Sequence, residues 1–422
     1  TREMTHRLGA TTMPEFFGKR FKSKGLRIAS AAIIFVFLIP YTASVYNGLS
    51  RLFGMAFGLP YEVCVIGMAV ITCLYVVLGG YMATVMNDFL QGIVMLFGIV
   101  AVIAAVILNN GGFSEAITTL SQIPAEGSQM AGPFVSMFGP DLFNLLGVVV
   151  LTSLGTWGLP QMVQKFYAIK SGPAVKQGAI ISTLFAFVVA GGSYFLGGFG
   201  RLYADKIEMG PTGLPVYDSI IPTMLSTLPD ILIGIVIVLV LSASMSTLSS
   251  LVLTSSSTLT LDLLQGNVVK KMSEQSKLGW MRILIVLFII VSAALALVQY
   301  NSSITFIAQL MGISWGALAG AFLGPFLWGL YSGRISKAAV WCSFIVGVCL
   351  TSGNMVLTLM GTPLIASPIN CGALAMLLSL IIVPVVSLFT KSVPFEVNLP
   401  SPEGAIDREF KHELAEERKG VE

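Results

Sequence analysis

Ten apolar stretches, parted by short polar breaks, run along the chain near 26–50, 61–81, 87–109, 141–160, 175–200, 229–258, 279–300, 303–330, 336–360 and 366–389. Each is close to the about 20 residues that a helix needs to cross the hydrocarbon core of a bilayer. The pattern predicts an all-α polytopic membrane protein with ten transmembrane helices. The sixth stretch breaks its own rule. Between Leu241 and Ser257 it is dense in hydroxyls, and Ala243, Ser246, Thr247, Ser250, Thr254 and Ser257 recur at steps of three and four. That spacing puts them in one stripe on one helix face. Hydroxyls on such a stripe find no partners in lipid, so the stripe is expected to face other helices or water. Ser and Thr also glue helices together. Read as chemistry, Ser246 and Thr247 offer two neutral oxygens, and the Ala243 carbonyl a third, to a small hard cation.

Composition agrees with this layout. Of 422 residues 55% are hydrophobic and only 11% charged, with a mean hydropathy of +0.86, whereas a soluble domain carries about 25% charged residues. Lys and Arg alternate by side. Seven lie in 1–27, none in 82–86, three in 161–178, four in 259–282, two in 331–337 and five after 390, all on one side and together 21 of the 24. Arg51, Arg201 and Lys206 remain for the other. The positive-inside rule then makes both ends of the chain cytoplasmic. It divides the chain into a cytoplasmic N-terminal loop (1–27), a ten-span core (28–390) and a charged cytoplasmic tail (391–422). The net charge of +3 is topological and gives no reason to expect nucleic acid.

Other chemistries find little support. His6 and His412 sit in the polar ends, and the five cysteines fall in apolar spans without metal-type spacing. No Asp or Glu is expected at mid-membrane depth; Glu62, Asp141 and Asp230 open spans on the outer side, and Asp88 and Asp262 sit at inner ends. A membrane enzyme would need a titratable cluster in the spans, and a proton-driven carrier often uses a deep carboxylate. Neutral oxygens suit a metal cation instead. Asp88 follows Gly79-Gly80 through a tight turn, and a carboxylate at a helix start is also stabilised by the dipole. At about 1.5 Å per residue, Ser246 and Thr247 lie past mid-membrane, with Ser249 and Ser250 deeper, at the level of Asp88. A second irregularity, Gly155-Thr156-Trp157-Gly158-Leu159-Pro160-Gln161, weakens helical hydrogen bonding. It reads as a proline stop or as an interrupted helix at a solute cavity. Pro40-Tyr41 marks a kink in the first span. In the eighth, Gly312, Gly316, Ala317, Ala319, Gly320, Ala321 and Gly324 allow close helix approach.

Four segments together resemble the sodium/solute symporter family, with motifs closest to its proline-transporting branch. They are Ala43-Ser44 through Arg51-Leu52-Phe53 with Phe57-Gly58 and Tyr61-Glu62; Gly79-Gly80 with Asp88 and Gln91; Trp157-Gly158-Leu159-Pro160-Gln161 with Lys165-Phe166; and Ala243 through Ser250 with Asp262. The resemblance implies a transporter core of five-plus-five inverted repeats, here lacking its first helices, so that the chain reads as an N-terminally truncated member. It implies a sodium ion at Ala243, Ser246 and Thr247, completed by an upstream helix, and a second sodium or an exit path at Asp88, Ser249 and Ser250. It also implies solute contacts at Tyr41, Thr152, Thr156, Trp157, Pro160 and Gln161. Thr152 and Thr156 stand where the proline branch carries aromatics, and Gln164-Lys165-Phe166 stands where sugar carriers have Gln-Arg-Thr. The expectation is sodium-coupled symport of a small organic solute, of amino acid or carboxylate type, by alternating access in the plasma membrane. A transport-inactive sensor or scaffold and a proton-coupled carrier are the alternatives.

Overall fold

The computed structural model describes residues 1–125, 132–167, 169, 171–209, 215–265, 268–269, 272–302 and 307–394, and the side chains of 80–85, 301 and 302 lie outside that description. The expected tail is thus described only as far as 394. The helices in order are α1 (Arg2–Leu8), α2 (Met13–Arg20), α3 (Lys24–Phe57), α4 (Tyr61–Asn109), α5 (Phe113–Gln122), α6 (Leu142–Gly158), α7 (Pro160–Tyr167), α8 (Gly172–Gly198), α9 (Ile220–Leu225), α10 (Asp230–Thr258), α11 (Glu274–Ser302), α12 (Ile307–Tyr331), α13 (Lys337–Leu359) and α14 (Pro368–Phe389). Short 3-10 turns add to these, and a π-turn, Leu259–Leu264, prolongs α10. No strand occurs among the described residues, only isolated bridges. Nine stretches among them are long and apolar enough to cross a membrane, and the bent pair α6–α7 makes a tenth. Below, the inner end is the one that the charge pattern assigns to the cytoplasm.

The expected turn between the second and third spans takes an unusual form. Helical backbone runs unbroken from Tyr61 to Asn109, yet a straight helix of that length would be about 73 Å long. Contacts show that its two halves run in opposite directions. Tyr61 stacks on Tyr300 with ring centroids 3.9 Å apart, Tyr75 Oη donates to the Met245 carbonyl at 2.6 Å, a Cβ on Gly98 would touch Leu239, and Asn109 Nδ2 donates to Thr227 Oγ1 at 3.1 Å. The chain therefore descends to the level of Asp88 and climbs back along α10.

Helix α12 is the axis of the main core. Its apolar window is 89% buried, against 11–39% for the other spans. The glycine row explains why. A Cβ on Gly316 would lie 2.5 Å from the Gly372 Cα, one on Gly320 2.8 Å from the Ala375 Cβ, and one on Gly324 2.2 Å from the Ser379 carbonyl oxygen. Backbone thus meets backbone along the α12–α14 seam, the close approach expected of small residues in membranes. Pro40 removes one amide donor from α3. One turn away the Ser314 hydroxyl of α12 donates to the Phe37 carbonyl, so the turn before the proline is tied to the central helix. A second core gathers Ile99, Val102 and Val106 of α4 with Leu196, Tyr203, Met224 and Leu239.

Residues 1–27 form two docked helices where a loop was expected. Thr12 caps α2 by accepting from the Glu15 amide, and Phe16, Phe17 and Phe21 are fully buried against Phe322, Phe326 and Phe344. Arg20 donates to the carbonyls of Gly329 (3.0 Å) and Ser332 (2.7 Å), meeting acceptors at the end of α12 that the helix leaves open. Burial pulls the Arg20 guanidinium down to about 10, so it stays cationic at neutral pH. Asp262, in the π-turn, has no exposed side-chain surface. It accepts from Thr12 Oγ1 and from Arg27 Nε, both at 2.7 Å, while Arg27 Nη2 reaches the Leu261 carbonyl at 3.2 Å. One carboxylate joins α2, α3 and α10.

Three substitutions test these joints. Asp262→Ala leaves the buried Thr12 and the partly exposed Arg27 without their carboxylate and should remove about 2–3 kcal/mol, read as a fall of several degrees in the melting temperature of detergent-solubilised protein. Thr12→Ala should cost about 1 kcal/mol, and an equal effect of the two would refute the buried pairing. Gly320→Val forces a side chain onto Ala375 and should cost about 1–3 kcal/mol or more; unchanged melting would contradict the seam.

Candidate functional site

The stripe lies on α10 as the spacing predicts. Ala243, Ser246, Thr247, Ser250 and Ser257 are half-buried and Thr254 is buried. The hydroxyls turn back onto their own helix. Ser246 Oγ and Thr247 Oγ1 donate to the Ala243 carbonyl at 3.1 and 2.9 Å, and Ser249 Oγ and Ser250 Oγ donate to the Ser246 carbonyl, both at 3.0 Å. These bonds meet the donors without a neighbouring helix. The hydroxyl oxygens keep lone pairs for a cation, whereas the Ala243 carbonyl already accepts from both hydroxyls. The adjacent Met245 carbonyl is occupied by Tyr75.

One turn further inward the stripe meets a cavity of about 680 Å³. Its walls come from α4 (Val76 to Gly79, and Asp88), α7 (Gln161, Gln164, Lys165), α10 (Ser249, Ser250, Leu253, Thr254, Ser257) and α11 (Leu278, Met281, Arg282, Ile285). Ser246 and Thr247 are not among the lining residues. Asp88 is the one acid among the described lining residues, and its Oδ2 stands 3.6 Å from the Lys165 ammonium. Its Oδ1 is buried without a hydrogen-bond partner.

The predicted interruption is present. Leu159 is extended (φ −89°, ψ 119°), and α6 and α7 meet at 44°. Gly158 lets the break close on α12, where a Cβ would lie 2.7 Å from Ala319. The bend carries Gln161 to the cavity wall, 5% exposed, with neither amide atom partnered. Pro160 is buried one residue before it. The remaining solute candidates are more scattered. Thr152 and Thr156 are half-buried, with hydroxyls on the Val148 and Ser153 carbonyls. Trp157 is 48% exposed and lines no part of this cavity. Tyr41 packs edge-on against Trp315 at 5.6 Å, in the main core. So the structure brings Gln161 together with Asp88, Ser249 and Ser250, and sets Tyr41, Thr152, Thr156 and Trp157 apart from them.

Sequence reasoning missed a polar cluster at the outer end. Asp218, in the turn Tyr217–Ser219, accepts from the Ile307 amide at the start of α12 at 3.1 and 3.2 Å and from Asn47 Nδ2 at 3.3 Å. Arg51 Nε lies 4.0 Å away, over the Tyr300 ring. Burial pushes the Asp218 carboxyl up, against the pull of the Ile307 amide, Arg51 and Asn47. Arg51, an isolated outer-side cation in the sequence, was the available signal; its partner 167 residues on was not.

Comparison with known proteins places this geometry. The profile of the sodium:solute symporter family matches residues 2–347. The osmoregulated proline transporter OpuE of Bacillus subtilis is 30% identical over 351 residues, covering 80% of this chain and 66% of that protein. The sodium/pantothenate symporter of Escherichia coli is also 30% identical, covering 82% and 69%, and the sodium/proline symporter of Salmonella typhimurium is 28% identical, covering 80% and 66%. The chain thus spans just under two thirds of the length of two of these relatives. Among solved structures, a substrate-bound, outward-open sodium-coupled sialic acid symporter superposes with a TM-score of 0.67 at 19% identity, covering 93% of this chain and 80% of that one. A profile match over most of the chain, joined to a bundle of membrane-length helices with an interrupted span and a hydroxyl stripe, is sufficient: the chain belongs to the sodium:solute symporter family.

Proposed function

We propose that this chain belongs to a carrier that couples the entry of a small organic solute, of amino acid or carboxylate type, to sodium by alternating access. In this reading Ala243, Ser246 and Thr247 supply oxygens to one sodium. Asp88, Ser249 and Ser250 form a second cation position or its way out. Gln161 and Pro160 contact the solute at the interruption, with Tyr41, Thr152, Thr156 and Trp157 reaching it in other conformations. The observation that carries the reading is the continuity of the α10 hydroxyls with a cavity whose lining includes the unpartnered Gln161 amide and the carboxylate of Asp88. A cation leaving the stripe meets oxygen at each turn of α10 and then a full negative charge.

The energetics suffice. A membrane potential supplies about 2.3 kcal/mol per charge per 100 mV, and a tenfold gradient about 1.4 kcal/mol more, so one sodium supports accumulation of roughly several hundredfold. Sodium shifts the carrier between states only through different affinity for them. The substrates of the relatives, proline and pantothenate, are the first solutes to test.

In proteoliposomes with radiolabelled proline, pantothenate and a panel of small carboxylates, uptake should follow sodium and not pH. Ser246→Ala and Thr247→Ala should each raise the half-saturating sodium about tenfold, which is about 1.4 kcal/mol; unaltered sodium dependence of both would remove the stripe from the coupling site. The cavity makes a separate prediction. In a background stripped of its native cysteines, Ser250→Cys should react with a hydrophilic maleimide, whereas Ser256→Cys, fully buried, should not. Equal reactivity at the two positions would contradict a water-filled path along one face of α10.

A further inference from the structure

The break between α6 and α7 does more than expose Gln161. It brings α7 to the cavity wall, and Lys165, five residues after Pro160, puts its ammonium 3.6 Å from Asp88 Oδ2. Among the described lining residues Asp88 is the only acid, beside two cations, Lys165 and Arg282. The Ser249 and Ser250 oxygens line the same space. A positive charge therefore already stands where a second sodium would use Asp88. The lysine is more than half exposed, at 58%, and Asp88 only 23%. Such a pair is weak and exchangeable, with the acid fixed and the base on a flexible stem. Being tethered, the ammonium acts at an effective concentration of millimolar or above.

We propose that Lys165 is a built-in competitor for Asp88, a tethered cation that takes the place of a second sodium and holds the carrier to one sodium per cycle. The inference rests on the reading above that Asp88, Ser249 and Ser250 lie on the cation path. It goes further in naming Lys165 as the residue that sets the stoichiometry. When the ammonium swings out, Asp88 offers a departing sodium its last ligand; when it returns, it displaces that ion towards the inner solution. Arg282, on α11 across the cavity, keeps the mouth positive in either position and so favours release.

Equilibrium binding of radioactive sodium to the purified full chain, with choline as the balancing cation, tests this without a solute. The unaltered protein should saturate at one sodium per chain. Lys165→Gln should gain a second, or bind sodium at least about tenfold more tightly, and Lys165→Arg should behave like the unaltered protein. The double variant Lys165→Gln/Asp88→Asn should return to one. The proposal is overturned if Lys165→Gln leaves both number and affinity unchanged, if the unaltered protein already binds two with the second lost in Asp88→Asn, or if no sodium binds at all. A single sodium that survives Ser246→Ala/Thr247→Ala would instead defeat the stripe reading, and the gain in Lys165→Gln would still decide the role of the lysine. Melting temperatures of each variant separate lost binding from lost fold.

Discussion

A bilayer offers no partner to a polar atom, so every polar group within a span is answered by the protein itself or faces a water-filled space. That constraint organises this molecule. On α10 it is met locally: Ser246, Thr247, Ser249, Ser250 and Thr258 all donate to carbonyls three or four residues back on their own helix. Because those bonds need no neighbour, α10 carries a polar face without being locked to the helices beside it. Elsewhere the same demand is met across the bundle. Ser343 and Ser379 share a hydrogen bond at 2.9 Å, Ser379 accepts from the Gly324 amide, and Trp328 donates to the Leu380 carbonyl. The first arrangement leaves hydroxyl oxygens available to a ligand. The second spends them on helix–helix contact.

Two kinds of packing follow. Around α12 the glycine row lets α13 and α14 approach until backbones touch, and the phenylalanines of α2 seal the inner end of that block. The cavity side has no such seam. There α4, α7, α10 and α11 surround a space of about 680 Å³, with α4 tied to α10 by the Tyr75 hydroxyl on the Met245 carbonyl. The Asp262 carboxylate ties the inner end of α10 to α2 and α3 instead.

The sequence foretold what depends on period and length. Ten spans, the hydroxyl stripe, the break at Leu159 and the close packing of Gly316, Gly320 and Gly324 all follow from spacing, because lipid forces helix and helix forces face. What it hid depends on distance along the chain. Asp262 reads as an unremarkable acid at a helix end, and nothing in its surroundings points to Thr12, 250 residues away, or Arg27, 235 away. Residues 1–27 read as a basic loop because their charges dominate the count. Only the docked structure reveals that Phe16, Phe17 and Phe21 share one buried face and that Arg20 closes the end of α12. Trp157 was grouped with the interruption by adjacency, yet the helical turn that sends Gly158 inward sends its neighbour out. The reversal within α4 was correctly anticipated, although the backbone stays helical through it.

Where polar groups remain unanswered is the final guide to the site. In a bundle this thorough about pairing, the buried atoms lacking partners are informative. Asp88 Oδ1, both amide atoms of Gln161, Gln91 Oε1, the Tyr167 hydroxyl and the hydroxyls of Ser255 and Ser256 belong to this group. Of these, Asp88 and Gln161 line the cavity, whereas Tyr46, Ser50, Ser292, Trp315 and Asn370, outside its lining, also hold such atoms. The cost of leaving such an atom unmet is about 1–3 kcal/mol, so those that face the cavity call for water or a ligand there. Within the cavity a sodium ion satisfies the Asp88 carboxylate but not the Gln161 NH2. A guest bearing both charge and hydrogen-bonding groups, accompanied by its ion, satisfies the Asp88 and Gln161 atoms together, which is the feature of the cavity on which the proposed symport rests.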